Sequence, residues 1–311
     1  MLIKYMGMNI MNKSIKGVLI RKNVSLKKFN TFRVNAKSSE FYVPETINGF
    51  IDLIKLLNEK DKRYLILGGG SNILFLDKVI EFPIIYTGFF SRIEHTSHNI
   101  LAYSGARVID TVKYAYKNAF TGLEFLYGLP GSIGGAAYMN ARCYEHSVSE
   151  FIDSVGIIDD NIEYMHIGNA DCKYDYKRSI FQNKKYIILD VRFKLNKSSK
   201  KLIKPEMNKY LKDRKTKHQF KYPSAGSTFL NDYNTNMIAG KVIDSINMRG
   251  VRLGGAMVSP YHANFIVNYN NASGYDILNL MRKVKEEVYN QKGITLNAEV
   301  RIVSNDEDAK L

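Results

Sequence analysis

Apolar positions along the chain recur with two periods. From Thr46 onward, Phe50, Ile51, Ile54 and Leu57 fall at helical spacing, and the run "RYLIL" then reads as a buried strand leading straight into "GGGSN". "VIEFPIIYTG" reads as a strand interrupted by Pro83. Val108, Ile109, Val112, Tyr116 and Ala119 line one face of a helix that stops before Gly122. The segments "SVGIIDD", "IEYMHIG" and "YIILDVRFKL" have strand length and predict mixed sheet up to about residue 196. "NKSSKK" reads as a linker, followed by a lysine-rich helix over 205–217. Ser273 and Asp276 form a capping-box pair before a helix whose buried stripe is Ile277, Leu280, Met281, Val284 and Val288, and Gly293 stops it. The last strand, "ITLNAEVRIV", turns Leu296, Ala298, Val300 and Ile302 to one face and Asn297, Glu299 and Arg301 to the other, so Glu299 stands on the polar side of a strand with a covered back. The tail "SNDEDAKL" is expected to fray.

Composition narrows this picture. The 311 residues, 45% hydrophobic and 12% aromatic, suit a soluble globular chain of two or three domains. A formal charge of +15 implies attraction to anions, but the lysines are dispersed without a long like-charge block, which favours a solvated surface with local anion sites over a nucleic-acid tract. Cys143 and Cys172 form no CxxC pair, which excludes a disulfide framework or zinc ribbon, and His95 and His98 in "HTSH" read as surface histidines, so no metal site is expected. The basic N-terminus lacks an apolar core and no run of 18 apolar residues follows, so the expectation is a cytoplasmic protein without a membrane partner. Met1, Met6, Met8 and Met11 all stand as possible starts.

Two glycine loops carry the candidate chemistry, "LGGGSN" and "LPGSIGGAAYMNA". Bare backbone lets a ligand approach the main chain, and successive N–H groups can cradle phosphate oxygens; the bland alternative is a pair of tight turns. The familiar nucleotide fingerprints both fail: GxGxxG needs a small residue where Ile73 stands, and a P-loop at Gly240–Lys241 needs glycine where Thr235 stands. In "PSAGSTF", Ser227 sits between Gly226 and Thr228 without a GxSxG pattern, which leaves it a turn serine or a proton donor.

Taken together, "KFNTFRVNAK", "LGGGSNILFLD", "TGLEFLYGLPGSIGGAAYMNA", "YKRSIF", "YPSAGSTF", "AGKVIDSINMRGVRLGGAMVSPYHANFIVN" and "GITLNAEVRIV" resemble, in order and over nearly the whole chain, the UDP-N-acetylenolpyruvoylglucosamine reductase (MurB) family, in its shorter type II branch. The resemblance implies an α+β fold: a two-part FAD-binding domain of the vanillyl-alcohol-oxidase (PCMH) type over 1–200, split near 80–100, a smaller α/β substrate-binding domain over 201–297, and a strand and tail over 298–311 returning to the FAD-binding region. It implies FAD held by Gly68, Gly69, Gly70, Ser71, Asn72, Pro130, Gly131, Ser132, Gly134, Gly135, Asn140 and Ala141. NADPH is the implied hydride donor and a UDP-linked enolpyruvyl sugar the implied substrate, in a monomer or small homo-oligomer. Ser227 takes the role of proton donor and Glu299 of its acidic partner, while Arg214 and Lys217 match a basic stretch near the substrate diphosphate.

The chain departs from the family pattern in three places. "YKRS" puts Lys177 where the family has arginine, with Arg178 one step later; lysine keeps the charge but loses the planar fork. "NARCYE" brings Arg142, Cys143 and Glu145 where smaller residues are usual, and Gln219 replaces a common proline. Another FAD oxidoreductase of the same fold and a basic nucleic-acid-binding protein are the competing readings.

Overall fold

Residues 15–309 and 311 are described by the computed structural model; the candidate starts Met1, Met6, Met8 and Met11 lie outside them. The architecture is α+β, in two compact units interleaved along the sequence; among the described residues the first takes 15–24, 38–69 and 82–211 and the second 25–37, 70–81, 212–309 and 311. Residues 25–37 and 70–81 thus fall in one unit with the chain from 212 onward, where the expectation was three contiguous stretches divided at 200 and 297. Arg301–Val303 pairs in parallel with Ile73–Phe75, and Leu74 and Leu76 are buried in the same apolar cluster as Leu296 and Val300.

In the first unit, Thr46 Oγ1 accepts from the Gly49 amide at 3.0 Å and starts helix α1, Ile47–Glu59. Its buried Phe50, Leu53, Ile54 and Leu57 cluster with Val18 and Ile85 of a sheet ordered Val18–Ser25, Lys37–Pro44, Ile84–Tyr86, Leu65–Leu67. A second, antiparallel sheet follows the order Tyr164–Gly168, Ile152–Ile158, Ile187–Lys194, Asn99–Tyr103, Ile93–His95. Helices α2, Val108–Lys117, and α3, Ile133–Tyr138, bury their apolar faces in the cluster built on this sheet. Helix α2 ends two residues short of Ala119, which takes φ 58°, a left-handed conformation that breaks the helical run.

The expected linker is structured. Asn196–Lys197 pairs with Phe120–Thr121, and the Lys197 ammonium sits 3.4 Å from the Phe120 ring centre. Helix α4 then begins at Lys200 and runs to Thr216, with Pro205 inside it.

In the second unit, a three-stranded antiparallel sheet, Arg252–Leu253, Ala256–Val258 and Ile266–Asn268, contacts α6, Gly274–Lys292, beyond the short α5, Ala239–Ser245. The capping box holds as expected: Asp276 N–H donates to Ser273 Oγ at 3.0 Å, Ser273 N–H to Asp276 Oδ2 at 2.9 Å, and all five stripe residues are buried. Gly293 closes the helix at φ 67°, where its missing Cβ matters. The final strand buries Leu296 and Val300 and exposes Asn297 and Arg301 as expected, with Ala298 and Glu299 both half-buried, and it is regular only over Arg301–Val303. Beyond it the chain is anchored: Ser304 Oγ and Asn305 N–H both donate to Asp77 Oδ2, at 2.8 and 2.7 Å. Among the described residues no helix is long and apolar enough to cross a membrane.

Asp276 does more than cap, because Oδ2 also accepts from Gly255 N–H at 3.2 Å. Partial burial works to raise its carboxyl, but these amides hold it below the ordinary carboxylate value. Replacing Asp276 with alanine is expected to cost about 1–3 kcal/mol of stability, a cap plus an orphaned amide, read as a shift in the denaturant midpoint.

Candidate active site

In the first unit the two glycine loops touch through their backbones. Ser132, at the N-cap of α3, accepts through Oγ from Gly69 N–H at 3.1 Å and from Gly135 N–H at 3.4 Å. A Cβ on Gly69 would lie 2.6 Å from Gly131 Cα, and one on Gly68 would collide with Ser132 Oγ. Gly134 packs on Ser104, so that a Cβ there would meet Ser104 Cβ at 2.6 Å. Most of these glycines are thus required by chain packing. Gly135 is different: it is exposed, and a Cβ there would meet only Ser132 Oγ, at 3.4 Å.

This geometry fits a ligand lying along the loops. Gly69 and Gly135 present exposed backbone side by side, and Ser104 Oγ, buried next to Gly134, has no hydrogen-bond partner among the described residues. The sequence reading missed Ser104; its signal was a hydroxyl in "YSGA" between an apolar strand and a helix start. Asn140, expected to touch the cofactor, is buried, at φ 41°, and its side chain bonds protein: Nδ2 donates to Asp175 O at 2.8 Å and Oδ1 accepts from Ser149 N–H at 3.2 Å.

Through Asn140 the loop reaches the segment of Lys177. Here the chain is a two-residue turn: Asp175 and Arg178 exchange backbone hydrogen bonds of 3.1 Å in both directions, and Lys177, at its tip, has φ 56°. The turn leaves Lys177 half-buried and Arg178 exposed. Burial pushes the nearby Cys172 thiol up to about 11, which keeps it protonated near neutral pH and unsuited to nucleophilic work.

In the second unit Gly70 has φ 60° and sits so close to the Phe29 carbonyl that no side chain would fit. Its own carbonyl accepts from Thr31 N–H at 3.0 Å. Asn72 Nδ2 donates to the Glu299 carbonyl at 2.9 Å, and Arg301 N–H to the Asn72 carbonyl at 3.0 Å, which ties the glycine turn to the strand of Glu299.

The Ser227 segment is clamped from both sides. Glu299 N–H donates to Thr228 O at 2.8 Å and Leu230 N–H to Asn297 O at 2.9 Å, which registers the two chains antiparallel. On the other side Asn264, buried, accepts from Phe229 N–H at 2.9 Å and returns Nδ2 to Phe229 O at 2.8 Å. Gly226, at φ 80°, makes the bend that leaves Ser227 half-buried next to this ladder. Asn264 was also missed from sequence, although a polar residue inside "HANFIVN" was its trace.

Of the two expected diphosphate cations, Arg214 is buried at 5% exposure with Nη1 donating to Gln219 Oε1 at 3.3 Å, whereas Lys217 is exposed and paired with Asp213 at 2.9 Å. Burial, then the charges of Arg249 and Lys217, hold His262 below its ordinary 6.5 against the opposing pull of Asp244.

The FAD binding domain family matches residues 39–168, and the C-terminal domain of UDP-N-acetylenolpyruvoylglucosamine reductase matches residues 218–303. The chain is similar to the UDP-N-acetylenolpyruvoylglucosamine reductase of Borreliella burgdorferi, 39% identical over 302 residues covering 93% of this chain and 98% of the relative. It is likewise similar to that of Clostridium novyi, 33% identical over 301 residues, 96% of this chain and 97% of the relative. The crystal structure of the Thermus caldophilus reductase superposes with a TM-score of 0.78 at 29% identity, over 91% of this chain and 99% of that one.

Two predictions follow from the geometry. Gly69→Ala is expected to lower both thermal stability and flavin retention, by about 1–3 kcal/mol in stability, because backbone meets its Cβ, while Gly135→Ala keeps stability and loses flavin; melting curves and bound-flavin absorbance check both. For His262 the folded-state pKa lies below 6.5, so the unfolded chain takes the proton first as pH falls, and stability declines below about pH 6.5. His262→Gln should flatten that decline in melting temperature.

Proposed function

The chain belongs to the UDP-N-acetylenolpyruvoylglucosamine reductase family, and we propose that it reduces the enolpyruvyl ether of UDP-N-acetylglucosamine to UDP-N-acetylmuramate for peptidoglycan synthesis. FAD, when bound, would supply the hydride chemistry that links NADPH to the terminal methylene of that ether. The match to the family's C-terminal domain, in addition to the FAD-binding part, favours this substrate over another flavin oxidation on the same fold and over nucleic-acid binding.

Gly68 and Gly69 together with the loop 130–141 would hold the cofactor: Gly69 and Gly135 with exposed backbone, Ser132 as the brace between them, and Asn140 fixing the end of the loop to protein. Ser227 delivers a proton to the carbon that bears the carboxylate. A serine hydroxyl is a weak acid, so it acts only where its alkoxide is stabilised by fixed positive charge and its position is held. The single observation that carries this reading is the ladder that registers Thr228 against Glu299, with Asn264 bracing the other edge. Glu299 is the acidic partner in this reading.

Lys177 supplies the cation for the substrate carboxylate as a point charge, without the two-bond grip of an arginine. Arg214 and Lys217 serve the diphosphate; Lys217 exchanges its exposed Asp213 partner for phosphate at little cost, since surface pairs are weak. The protein acts as a monomer or small homo-oligomer in the cytoplasm.

In anaerobic stopped flow, Ser227→Ala should leave flavin reduction by NADPH intact and slow reoxidation by the enolpyruvyl sugar about 100-fold or more. Unchanged turnover would remove Ser227 from the mechanism.

A further inference from the structure

We propose that Gln182 is a positioning residue for Lys177: its side-chain amide bridges the last residue of the glycine-loop helix and the carbonyl of Lys177 itself. This rests on the reading of Lys177 as the cation for the substrate carboxylate. Gln182 Nε2 donates to Tyr138 O at 3.1 Å and to Lys177 O at 3.0 Å, which uses both protons of a primary amide. Tyr138 is the final residue of α3, and Ser179 Oγ donates to the same carbonyl at 2.7 Å.

The turn needs such a tie. Lys177 carries a Cβ at φ 56°, a left-handed conformation disfavoured for residues other than glycine, so the two mutual backbone bonds of Asp175 and Arg178 are opposed by local strain. Asn140 holds the entry of the turn through Asp175 O, and Gln182 holds its tip. Asn140 and Ser179 are both buried and belong to the fold, whereas Gln182 is only partly buried.

The bond to Gln182 sits at the carbonyl adjoining the Cα that carries the ammonium. Releasing it frees the peptide that follows Lys177. A lysine offers one point charge on a flexible four-carbon stem, so fixing the backbone that carries the stem removes one source of spread in where that charge stands. The chain that substitutes lysine in this motif therefore relies on a second residue to fix the turn.

The test is a double-mutant cycle on the full-length flavoprotein in anaerobic stopped flow, with NADPH for reduction and the UDP-linked enolpyruvyl sugar for reoxidation. Gln182→Met removes both donors at nearly the same length, and Gln182→Asn retains the amide but draws it back by one methylene. We expect each to slow reoxidation about tenfold with reduction within about twofold, and Gln182→Met to add nothing further in a Lys177→Met background, the signature of one residue acting through the other. Equal slowing in both backgrounds, parallel loss of both half-reactions, or no slowing in either variant would overturn the proposal. A parent protein that bleaches with NADPH and never recovers with the sugar would instead overturn the functional reading on which it rests.

Discussion

The first unit is organised by one hydroxyl. Ser132 Oγ accepts from an amide of each glycine loop, and that shared acceptor is possible only because Gly68, Gly69 and Gly131 bring no side chains into the gap. Any Cβ at Gly69 would fall on backbone, which cannot swing aside as a side chain end can. From this contact the rest is built outward: the N-cap starts α3, its last carbonyl receives Ser179 and Gln182, and Asn140 beyond it receives the turn that carries Lys177. A ligand surface and a charge are thereby set on one continuous hydrogen-bonded frame.

The second unit uses the same economy with different parts. The residues that follow Ser227 are held: Thr228 and Leu230 by main-chain bonds to the strand of Glu299 and Phe229 by the amide of Asn264, so the placement of Ser227 depends on the register of its neighbours. Register is stiff because both Phe229 and Leu296 are fully buried, and a slip by one residue would turn them outward. In the same unit the charge is uneven in kind: Arg214 is buried with Gln219 as a partner, Lys217 is exposed and paired with Asp213, and burial and neighbouring cations hold His262 below its ordinary value.

Periodicity made much of this legible. The stripe of α6 and its capping box, the face of α1, and the covered back of the Glu299 strand follow from local spacing, which a helix or strand translates directly into burial. What local spacing could not carry was long-range. The pairing of Arg301–Val303 with Ile73–Phe75, which draws 70–81 into the second unit, depends on partners far apart in the chain. The Lys177 turn was hidden because a left-handed lysine has no propensity signal, and Ala119 ended α2 early for the same reason. Asn140 was expected as a ligand because it stands in a glycine-rich motif, while its role as a strut needed Asp175 and Ser149 to be seen beside it.

On this reading the chain is a flavin-dependent reductase of an enolpyruvyl sugar. The most direct test is the visible absorbance of the purified protein, followed without oxygen as NADPH and then the UDP-linked enolpyruvyl sugar are added. A flavin spectrum that bleaches with NADPH and returns with the sugar is the predicted result. A colourless protein that takes up no added FAD, or a bleached one that the sugar leaves bleached, would contradict it.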